Sequence, residues 1–198
     1  MKKLFPPLEY ANVPNFITSL GLLSGIIACT FVVGGDLKSA VICIFVATLM
    51  DVVDGFAASK MNRQTKFGQY LDLLTDFFVC CGIPVLMLFT FTDVTILTAV
   101  AAIVYAVCGL WRLAYFISVT AAENQPFFTG LPAPAAMLLA VASVWLFVYY
   151  GIFAWICPVV FSVAGLLMIS SFKFKKYGIC QKILGAVWLL FLVAIAVN

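Results

Sequence analysis

The chain has 198 residues, of which 65 % are hydrophobic and only 10 % are charged. This balance leaves too little polar surface to cover a soluble globule, so it excludes a soluble enzyme and predicts an integral membrane protein. The net charge is +3, without a basic stripe outside short loops, which argues against binding to nucleic acid.

A short segment precedes the first apolar run. It is bracketed by Pro6 and Pro14, and we expect it to lie as an amphipathic segment along the membrane surface. The apolar runs that follow are each about twenty residues long, enough to cross a bilayer core as a helix. They predict an all-α integral membrane protein, a bundle of six to seven transmembrane helices in a single domain over residues 1–198. The spans fall near 14–34, 37–58, 69–91, 94–118, 132–150, 153–171 and 179–197, with the thinnest division at 149–151.

The basic residues give an independent test of this count. Ten of the eleven lysines and arginines fall on one side of a seven-span arrangement, and Lys38 is the exception. Because basic residues collect on the cytoplasmic side of membrane proteins, the amino terminus is predicted inside and Asn198 outside. We expect a bacterial or archaeal cytoplasmic membrane, with the polar ends of the second and third spans facing the cytoplasm.

Half of the eight acidic residues lie in residues 51–76, between two long apolar runs. On helices, Asp51 and Asp54 are three residues apart and Asp72 and Asp76 four apart, so each pair lies on one helix face. The alternative interpretation is that these aspartates are solvated helix caps. Two helix-spaced pairs make that interpretation the weaker one. Clustered carboxylates at a bilayer edge repel and are costly to desolvate, so we expect a cation among them. Oxygen ligands in a chain without histidine favour magnesium, manganese or calcium.

The same stretch resembles the signature of the CDP-alcohol phosphotransferases, D-x-x-D-G-x-x-A-R, then eight residues, then G-x-x-x-D-x-x-x-D. The matching positions are Asp51, Asp54, Gly55, Ala58, Gly68, Asp72 and Asp76. Ser59 stands where the family has an arginine that helps to hold the diphosphate, and Lys60 or Arg63 could replace it.

Three further stretches resemble the phosphatidylserine synthase branch of that family: RLAYF at 112–116, FFTGLPAPAA at 127–136 and LLMISSFKFK at 166–175. The branch commonly has serine directly after the third aspartate, whereas Leu73 follows Asp72 here. L-serine is therefore the first candidate acceptor, while inositol, an inositol phosphate and glycerol phosphate stay open.

The resemblance implies transfer of a phosphatidyl group from CDP-diacylglycerol to a small alcohol, with release of CMP, by a homodimer in contact with membrane lipids. It implies two Mg²⁺ or Mn²⁺ ions about 4 Å apart, with Asp76 also acting as the base that takes the acceptor's proton. The four aspartates of the signature would be the metal ligands. With no histidine and no cysteine near a base, direct attack is favoured over a covalent enzyme intermediate.

The resemblance also suggests which residues bind the substrates. Gly55, Ala58 and Gly68 would leave room for the donor, which Ser59, Arg63, Asn15 and Thr18 would contact. A helix N-cap is the alternative role for Asn15 and Thr18. Arg112 is a lone charge in an apolar helix. It would bind the carboxylate or phosphate of the acceptor, and the alternative role is snorkelling to lipid headgroups.

Two other classes of function remain open from the sequence. A divalent-cation transporter could use carboxylates inside a membrane, although no matching polar residues continue a path across it. A catalytically dead family member that organises other membrane enzymes is suggested by Ser59. Release of CMP from CDP-diacylglycerol would exclude the dead scaffold, and ion flux without lipid turnover would support the transporter.

Overall fold

The computed structural model describes residues 5–61, 65–121, 127–175, 188 and 191. Within these ranges a 3₁₀ turn, two π-helical turns and two short strands accompany seven α-helices. The helices are α1 (Val13–Val33), α2 (Leu37–Lys60), α3 (Lys66–Phe77), α4 (Ile83–Phe91), α5 (Ile96–Tyr115), α6 (Ala133–Tyr150) and α7 (Ile156–Met168). The 3₁₀ turn is Pro6–Tyr10, the π-helical turns are Phe78–Gly82 and Phe116–Ala121, and the strands are β1 (Phe127–Thr129) and β2 (Lys173–Lys175).

Five helical stretches in the described ranges are long and apolar enough to cross a membrane, which confirms the predicted all-α membrane fold. They are Val13–Val33, Leu37–Lys60, Lys66–Phe91, Ile96–Val119 and Ala133–Tyr150. The predicted sixth span contains the shorter apolar helix Ile156–Met168. The predicted seventh span, 179–197, lies outside the described residues except for positions 188 and 191.

The division between the fifth and sixth predicted spans is a defined helix end. Gly151 follows α6 with a positive φ of 64°, and its N–H donates to the carbonyl oxygen of Phe147 at 3.0 Å. A left-handed residue that satisfies a free carbonyl of the last turn is a common way to end a helix, and glycine adopts it without strain. The apolar run from 132 to 171 is therefore two helices.

Polar side chains mark where four of the long helices begin. Asn12 accepts a hydrogen bond from the backbone N–H of Asn15 at 2.9 Å, so it caps α1. Asp36, Thr65 and Thr95 accept the corresponding bonds at the starts of α2, α3 and α5. Each cap satisfies an amide that has no partner inside its own helix. The cap at Thr65 matters for function because α3 carries two of the four aspartates.

Helices α5 and α7 pack closely through a small residue. A Cβ added at Gly165 of α7 would lie 2.9 Å from Cα of Tyr105 in α5. The Tyr105 ring is fully buried and meets the Phe161 ring with 5.1 Å between centroids. Small residues let membrane helices approach to this distance. Helices α5 and α7 are thus tightly packed, and Tyr105 of α5 also contacts the third span.

The third span changes from α-helical to π-helical geometry at Phe78–Gly82, directly after α3. Pro84 has no N–H, so it cannot donate to the carbonyl oxygen of Cys80 four residues earlier, as an α-helix requires. The hydroxyl group of Tyr105 donates to that oxygen instead, at 2.8 Å. Single π-helical turns inside α-helices occur often at functional sites. Tyr105 thus ties the end of α3 to the packed helices α5 and α7.

The GLPAPAA segment, recognised in the sequence, lies against the end of α7. Strand β1 pairs antiparallel with β2. Beyond the strand, the N–H groups of Gly130 and Leu131 donate to the carbonyl oxygens of Phe172 and Leu167 at 2.8 and 2.9 Å. Gly130 has a φ of +77°, and a Cβ there would collide with the backbone of Met168. Glycine is therefore required, and the segment fixes where α6 begins.

Candidate functional site

Three of the four predicted aspartates meet at the junction of α2 and α3. One carboxylate oxygen from each of Asp51, Asp72 and Asp76 lies within 4.8 Å of the other two. Asp51 comes from the second half of α2, and Asp72 and Asp76 are one turn apart on α3. All three side chains are half-buried. The helix spacing read from the sequence thus brings the two acidic pairs to one place.

Asp54 lies apart from this group of three. It is buried, with 5 % of its surface exposed, and one of its carboxylate oxygens, Oδ2, accepts a hydrogen bond from the hydroxyl group of Thr18 in α1. The Thr18 hydroxyl also lies 3.1 Å from the carbonyl oxygen of Pro14. Thr18 therefore fixes the orientation of Asp54 and connects the acidic site to the first span.

All four carboxylates line one small cavity. Its walls come from α1, α2, α3, the first π-helical turn and the start of α6. The lining residues are Thr18, Gly21, Ala47, Thr48, Asp51, Asp54, Asp72, Thr75, Asp76, Val79, Cys80 and Pro134. No lysine or arginine is among these described lining residues, so the walls carry an excess of negative charge.

The group of three suits a hard divalent cation. Oxygen ligands lie 2.0–2.6 Å from magnesium or calcium, so two ligands of one ion are at most about 4 to 5 Å apart. The 4.8 Å limit that encloses the Asp51, Asp72 and Asp76 oxygens meets this requirement. Carboxylate oxygens are also the donor type that such ions prefer. The acidic cluster could therefore hold a metal ion.

Among the described residues assigned to donor binding, Thr18 lines the cavity, whereas Gly55, Ala58, Ser59, Gly68 and Asn15 do not. Gly55 is exposed with open space where a Cβ would stand, Ala58 is half-buried and Ser59 is exposed. Gly68 packs against the side chain of Asn15, because a Cβ at Gly68 would lie 2.8 Å from Asn15 Oδ1. Arg63 lies outside the described residues.

Asn15 and Thr18 do not cap α1, because Asn12 performs that role. Asn15 is buried, and its side-chain amide donates to the carbonyl oxygen of Tyr10 at 2.8 Å, which anchors the 3₁₀ turn. Thr18 instead contacts Asp54. Of the two, Thr18 is the one that reaches the acidic site.

Arg112 is buried near the acidic cluster and does not line the cavity. Its surface is 9 % exposed, and its guanidinium lies over the Phe116 ring, 5.5 Å from the centroid. Its charge interacts electrostatically with the carboxylate of Asp76. Such burial does not fit a side chain that snorkels to lipid headgroups. Arg112 therefore provides a positive charge behind Asp76.

Three residues near the site were not assigned to it from the sequence. Thr75 and Pro134 line the cavity, and Tyr105 bonds to the π-helical turn after Asp76. Thr75 could have been predicted from the sequence, because it lies between two motif aspartates on the same helix. Pro134 belongs to a stretch that was noted, but its approach to α3 depends on how Gly130 docks on α7. Tyr105 gave no local signal.

Comparison with known proteins identifies the family to which the chain belongs. The family model described as CDP-alcohol phosphatidyltransferase matches residues 11–164. The CDP-diacylglycerol–serine O-phosphatidyltransferase of Methanocaldococcus jannaschii is 29 % identical over 174 residues, which cover 88 % of this chain and 79 % of that protein. The Bacillus subtilis protein with the same description is 29 % identical over 170 residues, covering 83 % of this chain and 90 % of that protein.

A solved structure is similar in fold. The crystal structure of Mycobacterium tuberculosis phosphatidylinositol phosphate synthase with CDP-DAG bound superposes with a TM-score of 0.63 at 16 % sequence identity. The match covers 91 % of this chain and 89 % of that one. The family match over most of the chain confirms the resemblance first seen in the aspartate motif, and the serine-specific relatives confirm the branch. The chain belongs to the CDP-alcohol phosphatidyltransferase family.

Proposed function

We propose that the protein transfers a phosphatidyl group from CDP-diacylglycerol to L-serine, giving phosphatidylserine and CMP. The observation that carries this proposal is the convergence of Asp51, Asp72 and Asp76 in a cavity that Asp54 also lines. The family to which the chain belongs, and relatives described as CDP-diacylglycerol–serine O-phosphatidyltransferases, support the choice of donor and acceptor.

The four aspartates are proposed as the ligands of two Mg²⁺ or Mn²⁺ ions. Asp51, Asp72 and Asp76 would form the centre of the site, and Thr18 would keep Asp54 turned toward it. When bound, the ions would neutralise the charge of the donor's diphosphate and of the departing CMP. The acidic walls, with no basic residue among the described lining residues, are consistent with such a need for cations.

Asp76 is proposed as the general base. It would take the proton of the acceptor hydroxyl group, whose oxygen then attacks the phosphorus atom attached to diacylglycerol. A new phosphorus–oxygen bond forms as the bond between that phosphorus and the CMP oxygen breaks. Cys80 lines the cavity beside Asp76 but has no histidine to activate it, so a single direct displacement is favoured. Arg112 would hold the Asp76 carboxylate in place from behind.

The other residues predicted from the sequence to bind substrates are proposed to lie along the path of the donor and the acceptor. Gly55, Ala58, Ser59, Gly68, Arg63 and Asn15 would form the donor's approach, and Arg112 would also attract an acceptor carboxylate. The protein would work as a homodimer in a bacterial or archaeal cytoplasmic membrane, with the cavity open to the cytoplasm. Ten of eleven basic residues on that side support this orientation.

The experiment that tests the acceptor uses purified protein in detergent or lipid with CDP-diacylglycerol and Mn²⁺. L-serine, inositol, inositol phosphate and glycerol phosphate are offered in separate reactions, and the lipid product is identified by mass. We expect phosphatidylserine. A product formed only with another alcohol would keep the reaction type and replace the acceptor.

A further inference from the structure

Thr75 differs from every other buried hydroxyl residue in the described part of the chain. The other four are Thr18, Thr98, Tyr105 and Ser143, and each donates to a carbonyl or carboxylate oxygen. Thr75 is 8 % exposed, yet its hydroxyl group makes no hydrogen bond to the residues that the structure describes. A helical threonine usually donates to a carbonyl three or four residues earlier. Thr75 does not, so its hydroxyl group is available.

The free hydroxyl group opens into the cavity. Thr75 lines the cavity together with the four aspartates. Among described side chains, the polar atoms that are both enclosed and without a partner are the indole nitrogens of Trp145 and Trp188. The Thr75 oxygen is not one of them, so it keeps access to open space. A buried hydroxyl group without a partner is costly unless a ligand or water supplies one.

Thr75 lies on the face of the third span that is turned toward α1. Gly68, seven residues earlier, packs against Asn15, and Val79, four residues later, is the neighbour of Gly25 in α1. Positions seven and four residues away share a helix face. Thr75 therefore faces the side of the cavity that α1 forms, which is the side assigned to the nucleotide-linked donor.

The walls around Thr75 are rich in acceptors and poor in donors. Asp51, Asp54, Asp72 and Asp76 accept hydrogen bonds when ionised. The hydroxyl groups of Thr18 and Thr48 point to protein oxygens, Thr48 to the carbonyl of Ile44 at 2.9 Å. An anionic phosphate oxygen can only accept, so it needs a donor that the protein has not used.

We propose that the Thr75 hydroxyl group donates a hydrogen bond to a phosphate oxygen of the CDP-linked lipid donor. This inference rests on the proposed function and adds to it a binding residue that lies between the two motif aspartates of α3. Thr75 would help to orient the diphosphate while the carboxylates hold the cations.

The test compares Thr75→Val with Thr75→Ser and Thr48→Val in the purified full-length protein. Valine keeps the size of threonine and removes the hydroxyl group, and serine keeps the hydroxyl group. Thr48→Val makes the same change in the same cavity at a hydroxyl group that is already bonded within its helix. The measurements are the KM for CDP-diacylglycerol and, separately, the KM for the acceptor alcohol.

We expect Thr75→Val to raise the KM for CDP-diacylglycerol about tenfold, the size of one lost hydrogen bond to a charged group, with little change in the acceptor KM. Thr75→Ser should restore most of the donor affinity, and Thr48→Val should raise the donor KM less than Thr75→Val does. An unchanged donor KM in Thr75→Val, an equal increase in Thr48→Val, or an increase in the acceptor KM alone would each overturn the assignment. Wild-type release of CMP tests the proposed function itself, so the two failures are distinguishable.

Discussion

The third membrane span has two halves with opposite characters. In the first half, α3, only Thr75 of twelve residues is buried, and Asp72 and Asp76 face the cavity. In the second half, α4, four of nine residues are buried, namely Ile83, Pro84, Met87 and Leu88. The half that carries the carboxylates is therefore accessible, while the half that follows it is held in the core. One continuous span both presents the site and anchors it.

The π-helical turn separates these halves, and the hydroxyl group of Tyr105 donates a hydrogen bond to it. Pro84 cannot supply the α-helical donor to the Cys80 carbonyl oxygen, and the tyrosine hydroxyl group donates to that oxygen and so helps to join the turn to α5. Substitutions in α3 should therefore change chemistry with little loss of stability, and substitutions in α4 should do the reverse.

The largest effect is expected from Asp76→Asn in the accessible half. Asparagine keeps the size and polarity of the side chain but cannot act as the base, so turnover should fall by roughly a thousandfold. Thermal unfolding should stay close to wild type, and binding of CDP-diacylglycerol should fall far less than turnover, because three of the four proposed metal ligands remain. Near-normal turnover would remove Asp76 from the mechanism.

In the anchored half, Met87→Ala should chiefly reduce stability. Met87 is fully buried, and its truncation should lower the free energy of unfolding by about 2 to 5 kcal/mol. The matched substitution in α3 is Leu74→Ala, at a side chain that is 66 % exposed, and it should cost less than about 1 kcal/mol. Denaturant unfolding of both variants in the same detergent measures the difference. Equal losses would contradict the contrast between the two halves.

Tyr105→Phe should affect both halves, because it removes the hydrogen bond that joins the turn between them to α5. The Cys80 carbonyl would lose its partner at a cost of about 1 to 3 kcal/mol, and the cation concentration for half-maximal turnover should rise as Asp76 loses its fixed position. The control is Phe161→Leu, which loosens packing on the Tyr105 ring and keeps its hydroxyl group. If the two variants shift the cation requirement equally at equal stability, Tyr105 acts only through packing.

The smallest effects are expected at the end of α2, where Ser59 replaces the family arginine. Lys60 already lies over the Phe56 ring, with its Nζ atom 5.9 Å from the centroid. Arg63 is four residues beyond Ser59, and its planar cation suits a diphosphate better. Arg63→Ala should therefore weaken donor use more than Lys60→Ala, by about tenfold, and Ser59→Arg should partly restore it. Full donor affinity in both alanine variants would exclude compensation by either residue.

The parts of the site that could be predicted from the sequence depend on helix periodicity. The spacing of Asp51, Asp54, Asp72 and Asp76 places them on helix faces, and long apolar runs predict the spans that hold them. Periodicity cannot specify which side chains from distant segments meet. The bond from Thr18 to Asp54 joins residues 36 positions apart, and that from Tyr105 to Cys80 joins residues 25 apart.

Backbone detail was also beyond the sequence. A proline such as Pro84 weakens a helix, but neither the π-helical turn nor the hydrogen bond from a tyrosine follows from a proline alone. The glycine and prolines of the GLPAPAA segment indicate an irregular backbone before α6, whereas the hydrogen bonds of Gly130 and Leu131 to the end of α7 depend on the packed bundle. The availability of the Thr75 hydroxyl group likewise depends on a side-chain rotamer.

The most direct measurement is release of CMP from CDP-diacylglycerol by the purified protein, with and without Mn²⁺, in wild type and in Asp72→Asn. We predict release that requires both the cation and the carboxylate, falling to background after chelation and in the variant. Release that persists without divalent cations, or ion flux across vesicles without lipid turnover, would contradict a cation-dependent phosphatidyl transfer at these aspartates.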